Sequence, residues 1–285
     1  MAYGYEINYI GEQYQFRRSL PWVDDDNPGF GGSYNDFAGK KIPGNTFDFT
    51  AIHGAALLAE GYAVSSSSSS SFAEGAASTS NAFALDLLCG KQVTSTVGRG
   101  GAVPDRYTVF TKGIQDAIRS YTSKGGNVLV SGANIGTDAY DQVYPNIKID
   151  SSAREDTQKF IEEVLGYKWL TNYATRNAEV RTMKTPMASG IPLPRPFTFH
   201  NTYNGEIYFA ETPDGLLPSN DKGATFLRYS DTNISAGVCY QGEGYRAISL
   251  GFPIEIIKKK EDIGSLMKTA MEFFAKPATP TTTKK

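Results

Sequence analysis

The residues whose types and spacing could support chemistry lie directly after an apolar stretch near the middle of the chain. Gly125-Gly126 precedes the run Val128-Leu129-Val130, and Ser131-Gly132 follows it. A short apolar run bounded by glycines predicts a buried strand, and ligands of open α/β sheets bind at the carboxyl ends of such strands. Ser131 is therefore a candidate nucleophile.

A serine nucleophile needs a base within hydrogen-bonding reach, and the chain contains two histidines, His53 and His200. His53 is the candidate base. The alternative is a hydrogen-bonded histidine at the edge of the core, because His53 lies close to the apolar face of a predicted helix. The frame around Ser131 lacks the flanking glycines of a Gly-x-Ser-x-Gly nucleophile elbow. The alternative for Ser131 is a residue that is small because the chain turns tightly.

Four further polar residues are candidates for contact with a ligand. Asn134 and Asp138 follow the same strand, where amide and carboxylate groups can bind hydroxyls. Turns in which these side chains bind the nearby backbone are the alternative. In the second half of the chain, Arg228 and Asp231 either line a groove or form an ion pair that only stabilises the fold.

The candidate metal ligands are three consecutive acids, Asp24, Asp25 and Asp26, because Ca²⁺ binds several oxygen atoms. Their spacing matches no EF-hand loop, and a solvated turn is the alternative. The glycine-rich segments Gly98–Gly101 and Gly132–Gly136 lack the lysine and the strand–turn–helix context of a phosphate-binding loop. No nucleotide or other cofactor is therefore expected.

The composition excludes several classes of function. The 285 residues carry a net charge of −2, which is not the basic footprint of a nucleic-acid-binding protein. No apolar run reaches the roughly 18 residues that a membrane-spanning helix needs, and the first residues show neither the basic nor the apolar region of a signal peptide. Cys89 and Cys239 are too few for a disulfide framework or a cysteine metal site, and a single disulfide between them stays open.

The periodicity of apolar residues predicts the elements that would position these side chains. Apolar residues recur at helical spacing in Phe49–Leu57, Phe110–Tyr121, Phe160–Leu165 and Ile263–Phe274. We also expect a strand at Tyr62–Ser65, which enters the serine run Ser65–Ser71, and a short helix from Phe83 to Cys89 that ends at Gly90. From about residue 172 to 245 the period changes to two, which predicts a β-rich section.

Alternating helices and apolar strands predict an α/β fold with a doubly wound, mostly parallel sheet flanked by helices and a β-rich extension in the C-terminal half. The expected organisation has three parts. An aromatic, turn-rich segment (residues 1–48) packs on the core, an α/β domain (residues 49–276) includes the β-rich section, and residues 277–285 form a linker or tail.

Several segments together resemble a family of bacterial secreted or cell-surface proteins that are often labelled xanthan lyase or described as golvesin-associated. The resemblance spans most of residues 5–275. The segments that carry it are Trp22-Val-Asp-Asp-Asp-Asn-Pro-Gly-Phe-Gly31, Gly44-Asn-Thr-Phe-Asp48 with His53-Gly54, Leu85–Gln92, Gly125–Asp138, Ala224–Val238 and Leu250-Gly-Phe-Pro253.

The resemblance implies a flavodoxin-like core similar to that of class I glutamine amidotransferases, in a longer secreted protein whose partners are polysaccharide or its own further domains. In those enzymes a cysteine nucleophile follows the central strand and a His-x-Glu pair lies near the final strand. This chain has Ser131 at the first place, and Leu250-Gly-Phe-Pro-Ile-Glu255 contains no histidine. The expectation is a non-catalytic or degenerate amidotransferase-like domain that serves binding or architecture. A polysaccharide lyase, as the family label says, and a serine-type hydrolase using Ser131 are the alternatives.

Overall fold

The computed structural model describes residues 49–94, 108–140, 151–202 and 207–276, together with the backbone of two N-terminal strands. These strands, Glu6–Ile10 (β1) and Gln13–Arg17 (β2), pair antiparallel. The candidate metal ligands Asp24, Asp25 and Asp26 and the expected tail lie outside the described residues. The division of the chain at residues 48 and 277 stays a prediction.

The four segments with helical periodicity in the sequence are helical in the structure. The helices are α1 (Phe49–Ala59), α2 (Ser69–Ala73), α3 (Lys112–Thr122), α4 (Thr137–Tyr140), α5 (Ser151–Phe160) and α6 (Lys260–Ala275). Helix α5 continues into a short π-helix, Ile161–Leu165, which ends at Gly166 with a φ of 79°. The conformation of Gly166 is left-handed, which glycine adopts readily at the end of a helix.

The strands form one large sheet and one small one. After β1 and β2 they are β3 (Ala84–Gly90), β4 (Asn127–Gly132), β5 (Tyr167–Thr171), β6 (Glu179–Thr182), β7 (Phe197–Thr198), β8 (Gly215–Pro218), β9 (Gly223–Tyr229), β10 (Ser235–Gln241) and β11 (Arg246–Leu250). The large sheet has seven strands in the order β3, β4, β11, β10, β9, β6, β7, and β5 pairs with β8.

The large sheet has a parallel part and an antiparallel part. Strands β3, β4 and β11 are parallel neighbours, and from β11 onwards every pairing is antiparallel. The antiparallel part is the predicted β-rich extension. The α/β fold with flanking helices is confirmed.

Two apolar cores cover the two faces of the sheet. Leu129 and Ile248 pack on the face that α1 and α6 cover. Val128, Val130 and Ala247 pack on the opposite face, which α3 and α5 cover. Successive residues of β4 therefore alternate between two buried layers, as in a doubly wound α/β sheet. No helix in the described ranges combines the length and apolarity needed to cross a membrane.

Two local predictions were wrong. The segment Phe83–Cys89 is not a helix, because Ala84–Gly90 is strand β3. Tyr62–Ser65 is irregular, and the serine run ends in helix α2, where the Ser68 hydroxyl accepts a hydrogen bond from the Ser71 amide. Serine is a strong N-cap residue, so a serine run can begin a helix as readily as it can form a loop.

Candidate functional site

The turn after β4 lies at the carboxyl edge of the three parallel strands. It begins at Gly132, the last residue of β4, and runs to Gly136, and the Ala133 amide donates to the Gly90 carbonyl at the end of β3 (2.8 Å). A Cβ on Gly132 would lie 2.7 Å from Cys89 Cβ, and one on Gly136 would lie 2.7 Å from Trp169 Cδ1. Side chains are excluded at both glycines, so the turn can pack closely against its neighbours.

These two glycines have the spacing of a nucleophile-elbow frame, and its central position lies three residues after the candidate nucleophile Ser131. Gly132-Ala-Asn-Ile-Gly136 has the spacing Gly-x-nucleophile-x-Gly, and the residue at the nucleophile position is Asn134. A carboxamide is not a nucleophile of the kind that serine or cysteine provides. In the sequence, the feature that identifies this position is the pair of glycines four residues apart.

The turn also lacks the strained backbone that exposes an elbow nucleophile. Among the described non-glycine residues a positive φ occurs at Tyr173, Ala178 and Asn233, and Asn134 is not one of them. The side-chain amide of Asn134 instead donates to the Lys91 carbonyl (3.1 Å). Asn134 therefore closes a relaxed turn over the end of β3.

Ser131, the predicted nucleophile, is completely buried. Its side chain points to the same face of the sheet as Leu129 and Ala133, because alternate residues of a strand share a face. Its hydroxyl has no hydrogen-bonding partner within the described part of the chain. The described residues thus provide neither a base nor an open approach to this hydroxyl.

His53, the candidate base, is on the buried face of α1 and lies between two carboxylates. Its Nδ1 is 2.6 Å from Asp86 Oδ2 on β3, and its Nε2 is 3.3 Å from Glu255 Oε2 after β11. The Tyr208 hydroxyl donates to the other oxygen of Glu255 (2.7 Å). Sequence reasoning had singled out only His53, and the buried acids that surround it were missed.

The cluster favours a protonated histidine. Burial alone would lower the pKa of His53, but the charge of Asp86, the hydrogen bonds to Asp86 and Glu255 and the charge of Glu255 raise it to about 10. Both ring nitrogens are then donors with an acceptor each, and the side chain is 2 % exposed. A general base needs a free nitrogen that reaches substrate, so this geometry suits a buried ionic link between elements.

The two cysteines do not form a disulfide and are both buried. Burial, together with the charges of Glu255, Asp86 and Asp138, raises the pKa of the Cys89 thiol well above its ordinary value. The Cys239 thiol contacts Met187 Sδ (3.6 Å) and the Ala224 carbonyl (3.4 Å). A reactive cysteine needs a lowered pKa and access to solvent, so neither thiol fits that role.

Asp138, a candidate ligand contact, binds two segments of the connection between β3 and α3 to α4. Its two oxygens accept hydrogen bonds from the Thr94 amide (2.5 Å) and the Val109 amide (2.9 Å). Burial raises the pKa of Asp138, and these hydrogen bonds oppose that rise. Both amide donors are distant in the sequence, 44 and 29 residues away, so these contacts are not those of a local turn.

The carboxylate that anchors the turn after β4 is Asp214, which sequence reasoning did not single out. It accepts hydrogen bonds from the Gly136 amide (2.6 Å), the Thr137 amide (3.0 Å) and the Trp169 indole (3.1 Å). Burial raises the pKa of Asp214 to about 7, against these hydrogen bonds. Asp214 therefore ties the start of α4 to the segment before β8.

Arg228 and Asp231 do not pair with each other. The Arg228 guanidinium donates to the Asn233 carbonyl (2.6 Å). Asp231 accepts from the Thr175 hydroxyl (2.8 Å) and the Arg176 amide (2.7 Å). Burial of Asp231 is slight, and its hydrogen bonds hold the pKa below the ordinary value. The interpretation as an ion pair does not describe this site.

Within the described ranges, no group of three or more histidine, cysteine or acidic side chains is arranged to hold a metal ion.

No model of a known protein family matches this chain, and no curated protein does. Among solved structures, the chain is similar to a Thermoplasma acidophilum protein that is provisionally described as part of a GMP synthase. The identity is 11 %, the match covers 79 % of this chain and 89 % of that one, and the TM-score is 0.44.

A second similar structure is a polyextremophilic β-galactosidase from the Antarctic haloarchaeon Halorubrum lacusprofundi. The identity is 14 %, the match covers 59 % of this chain and 21 % of that chain, and the TM-score is 0.36. Likenesses this distant carry no inference about activity.

Proposed function

We propose that this chain is a non-catalytic domain with an amidotransferase-like α/β fold, which serves binding or architecture in a secreted, carbohydrate-associated protein. The observation that carries the proposal is the turn after β4. The nucleophile position of its glycine frame holds Asn134, which donates to the Lys91 carbonyl.

Two further observations support the absence of chemistry at this edge of the sheet. The Ser131 hydroxyl is fully buried, and both nitrogens of His53 are bound to carboxylates. Acyl transfer needs an accessible nucleophile, a base beside it and donors for the oxyanion. The secreted, carbohydrate-associated setting rests on the segments that resemble the family labelled xanthan lyase.

The first experiment is a panel of activity assays on the intact chain. Ammonia release from glutamine, ester hydrolysis and ultraviolet absorbance from unsaturated uronates should all equal the rates without protein. Turnover that Ser131→Ala abolishes would establish the serine hydrolase instead. An ultraviolet signal on an acidic polysaccharide would establish the lyase. Retarded migration in gels cast with that polysaccharide would favour binding over a purely architectural role.

Cysteine labelling tests the geometry behind the proposal. Asn134 is half-buried at the turn, whereas Ser131 and both native thiols are buried. Asn134→Cys should react with a maleimide in the folded protein, whereas Ser131→Cys and the unmodified chain should react only after denaturation. Rapid labelling of Ser131→Cys would show that the hydroxyl of Ser131 is reachable and would contradict the proposal.

A further inference from the structure

Two arginines lie directly opposite each other on the antiparallel strands β6 and β9. The register of the pair places Arg181 against Arg228, beside the inward-facing pair Val180 and Tyr229. Directly opposed residues in an antiparallel pair share a face, with Cβ atoms about 4.5–5.5 Å apart. Like charges at such positions repel each other, so this arrangement destabilises the fold when no ligand is bound.

One asparagine holds the two guanidinium groups together. Arg181 Nη2 donates to the Asn233 side-chain oxygen (2.7 Å), and Arg228 Nη1 donates to the Asn233 carbonyl (2.6 Å). Asn233 has a left-handed φ of 60°, a conformation that asparagine tolerates better than most residues. Both guanidinium groups are therefore ordered by oxygens of a single residue before any ligand binds.

No carboxylate of the described residues neutralises either arginine. Neither Arg181 nor Arg228 forms an ion pair within 4.0 Å of an acid in those ranges. Asp231 is the nearest acid along the chain to Arg228, and both of its oxygens are bound to Thr175 and Arg176. Glu179 is two residues before Arg181 on the same strand, and its carboxylate is not paired with that guanidinium.

Most of the N–H groups of the two arginines remain available. Each guanidinium carries five donors, and within the described part of the chain each donates one hydrogen bond, to Asn233. Arg181 is exposed and Arg228 is half-buried, so solvent reaches the pair. Donors in fork geometry bind phosphate or sulfate oxygens in pairs, and a doubly charged anion would also cancel the repulsion between the two arginines.

We propose that Arg181 and Arg228, ordered by Asn233, form a binding site for a tetrahedral oxyanion, a phosphate or sulfate group. The site is on the antiparallel extension and does not depend on the turn after β4, so it goes beyond the proposed function. A sulfated or phosphorylated glycan and a free inorganic anion present the same oxygens to this pair.

Calorimetric titration of the intact chain with inorganic phosphate, and separately with sulfate, tests the site at low, matched ionic strength. Arg181→Gln and Arg228→Gln should each weaken binding about tenfold or more, since a hydrogen bond to a charged group contributes about 1.5–3 kcal/mol. Arg195→Gln removes the same charge from an exposed loop and should bind like the unmodified chain. Arg181→Lys keeps the charge but loses the fork, and should bind more weakly than the unmodified chain.

Three results would overturn the site: no binding of either anion to the unmodified chain at millimolar concentration, unchanged binding after Arg181→Gln and Arg228→Gln, or an equal loss after Arg195→Gln. Circular dichroism of each variant establishes that it is folded before titration. Arg181 is exposed on a short strand, so its substitution keeps the test valid if Arg228→Gln fails to fold. A sulfated oligosaccharide that binds more tightly than free sulfate would identify a glycan as the source of the anion.

Discussion

At the scale of single residues, the interior contains an ionic contact between His53 and the two acids Asp86 and Glu255. The side chains of His53 and Glu255 are almost fully buried, and that of Asp86 is 15 % exposed. A buried charge without its partner is costly, because neither water nor an opposite charge stabilises it. His53 therefore offsets a repulsion between two acids that the fold brings together.

The variant His53→Gln should destabilise the fold by roughly 3 kcal/mol, since it leaves Asp86 and Glu255 facing each other without a cation. Urea denaturation followed by circular dichroism measures the loss. Adding Glu255→Gln to His53→Gln removes one of the two acids and should recover part of it. An unchanged denaturation midpoint in His53→Gln would show that the contact is not ionic.

At the scale of elements, glycine positions decide how closely the turn after β4 packs. A Cβ at Gly136 would lie 2.7 Å from the Trp169 ring, whereas a Cβ at Gly264 within α6 would meet no atom within 4 Å. The same chemical change should therefore have opposite effects in the two elements.

Gly136→Ala should destabilise the protein by about 1–3 kcal/mol, because the indole and the turn must move apart. Gly264→Ala should stabilise it by up to about 1 kcal/mol, because alanine restricts the unfolded chain and suits a helix. Thermal unfolding of both variants beside the unmodified protein measures the difference. Equal shifts of the same sign would contradict the packing of Trp169 on this turn.

The elements that the sequence predicted well are those whose periodicity is unambiguous. Helices α3 and α6 carry one apolar stripe each, and β4 is an apolar run between glycines. Strand β3 was mistaken for a helix because Ala84-Leu-Asp-Leu-Leu-Cys89 consists largely of good helix formers. An edge strand with five half-buried residues also shows little alternation. Tertiary pairing with β4 overrides the local preference there.

The candidate site was predicted only in part because its members are distant in the chain. His53 was a candidate, but Asp86 was assigned to a helix, and nothing local connects either residue to Glu255. The spacing of Gly132 and Gly136 is visible in the sequence, but the apolar run before Ser131 made Ser131 the candidate. The Arg181–Arg228 pair depends on the register of β6 against β9, which composition does not determine.

At the scale of the whole molecule, the protonation of His53 is coupled to global unfolding. His53 connects α1, β3 and the segment after β11, so none of these elements can unfold without breaking a contact of His53 with Asp86 or Glu255. Its pKa is raised to about 10 in the folded protein, against about 6.5 in an unfolded chain. The resulting stabilisation is complete below about pH 6.5 and disappears as the pH rises to about 10.

The difference in unfolding free energy between the unmodified chain and His53→Gln should therefore shrink from pH 6.5 to pH 10, by at most about 1.4 kcal/mol per pH unit. Urea denaturation of both proteins at several pH values measures it. The variant serves as the control for groups that titrate in both proteins, such as the cysteine and tyrosine side chains. A difference that grows with pH would mean that His53 is neutral in the folded protein.

The position of β11 between β4 and β10 has a kinetic consequence. The hairpin of β10 and β11 can form early because its strands are neighbours in the chain, but pairing β11 with β4 must close a loop that contains everything from α4 to β10. Closing so long a loop costs entropy before the contacts form, which slows folding. Until that step is complete, the edge of β4 that pairs with β11 in the folded protein can pair with strands of other chains. Refolding yield should therefore fall as protein concentration rises, and a chaperone that shields strand edges would restore it.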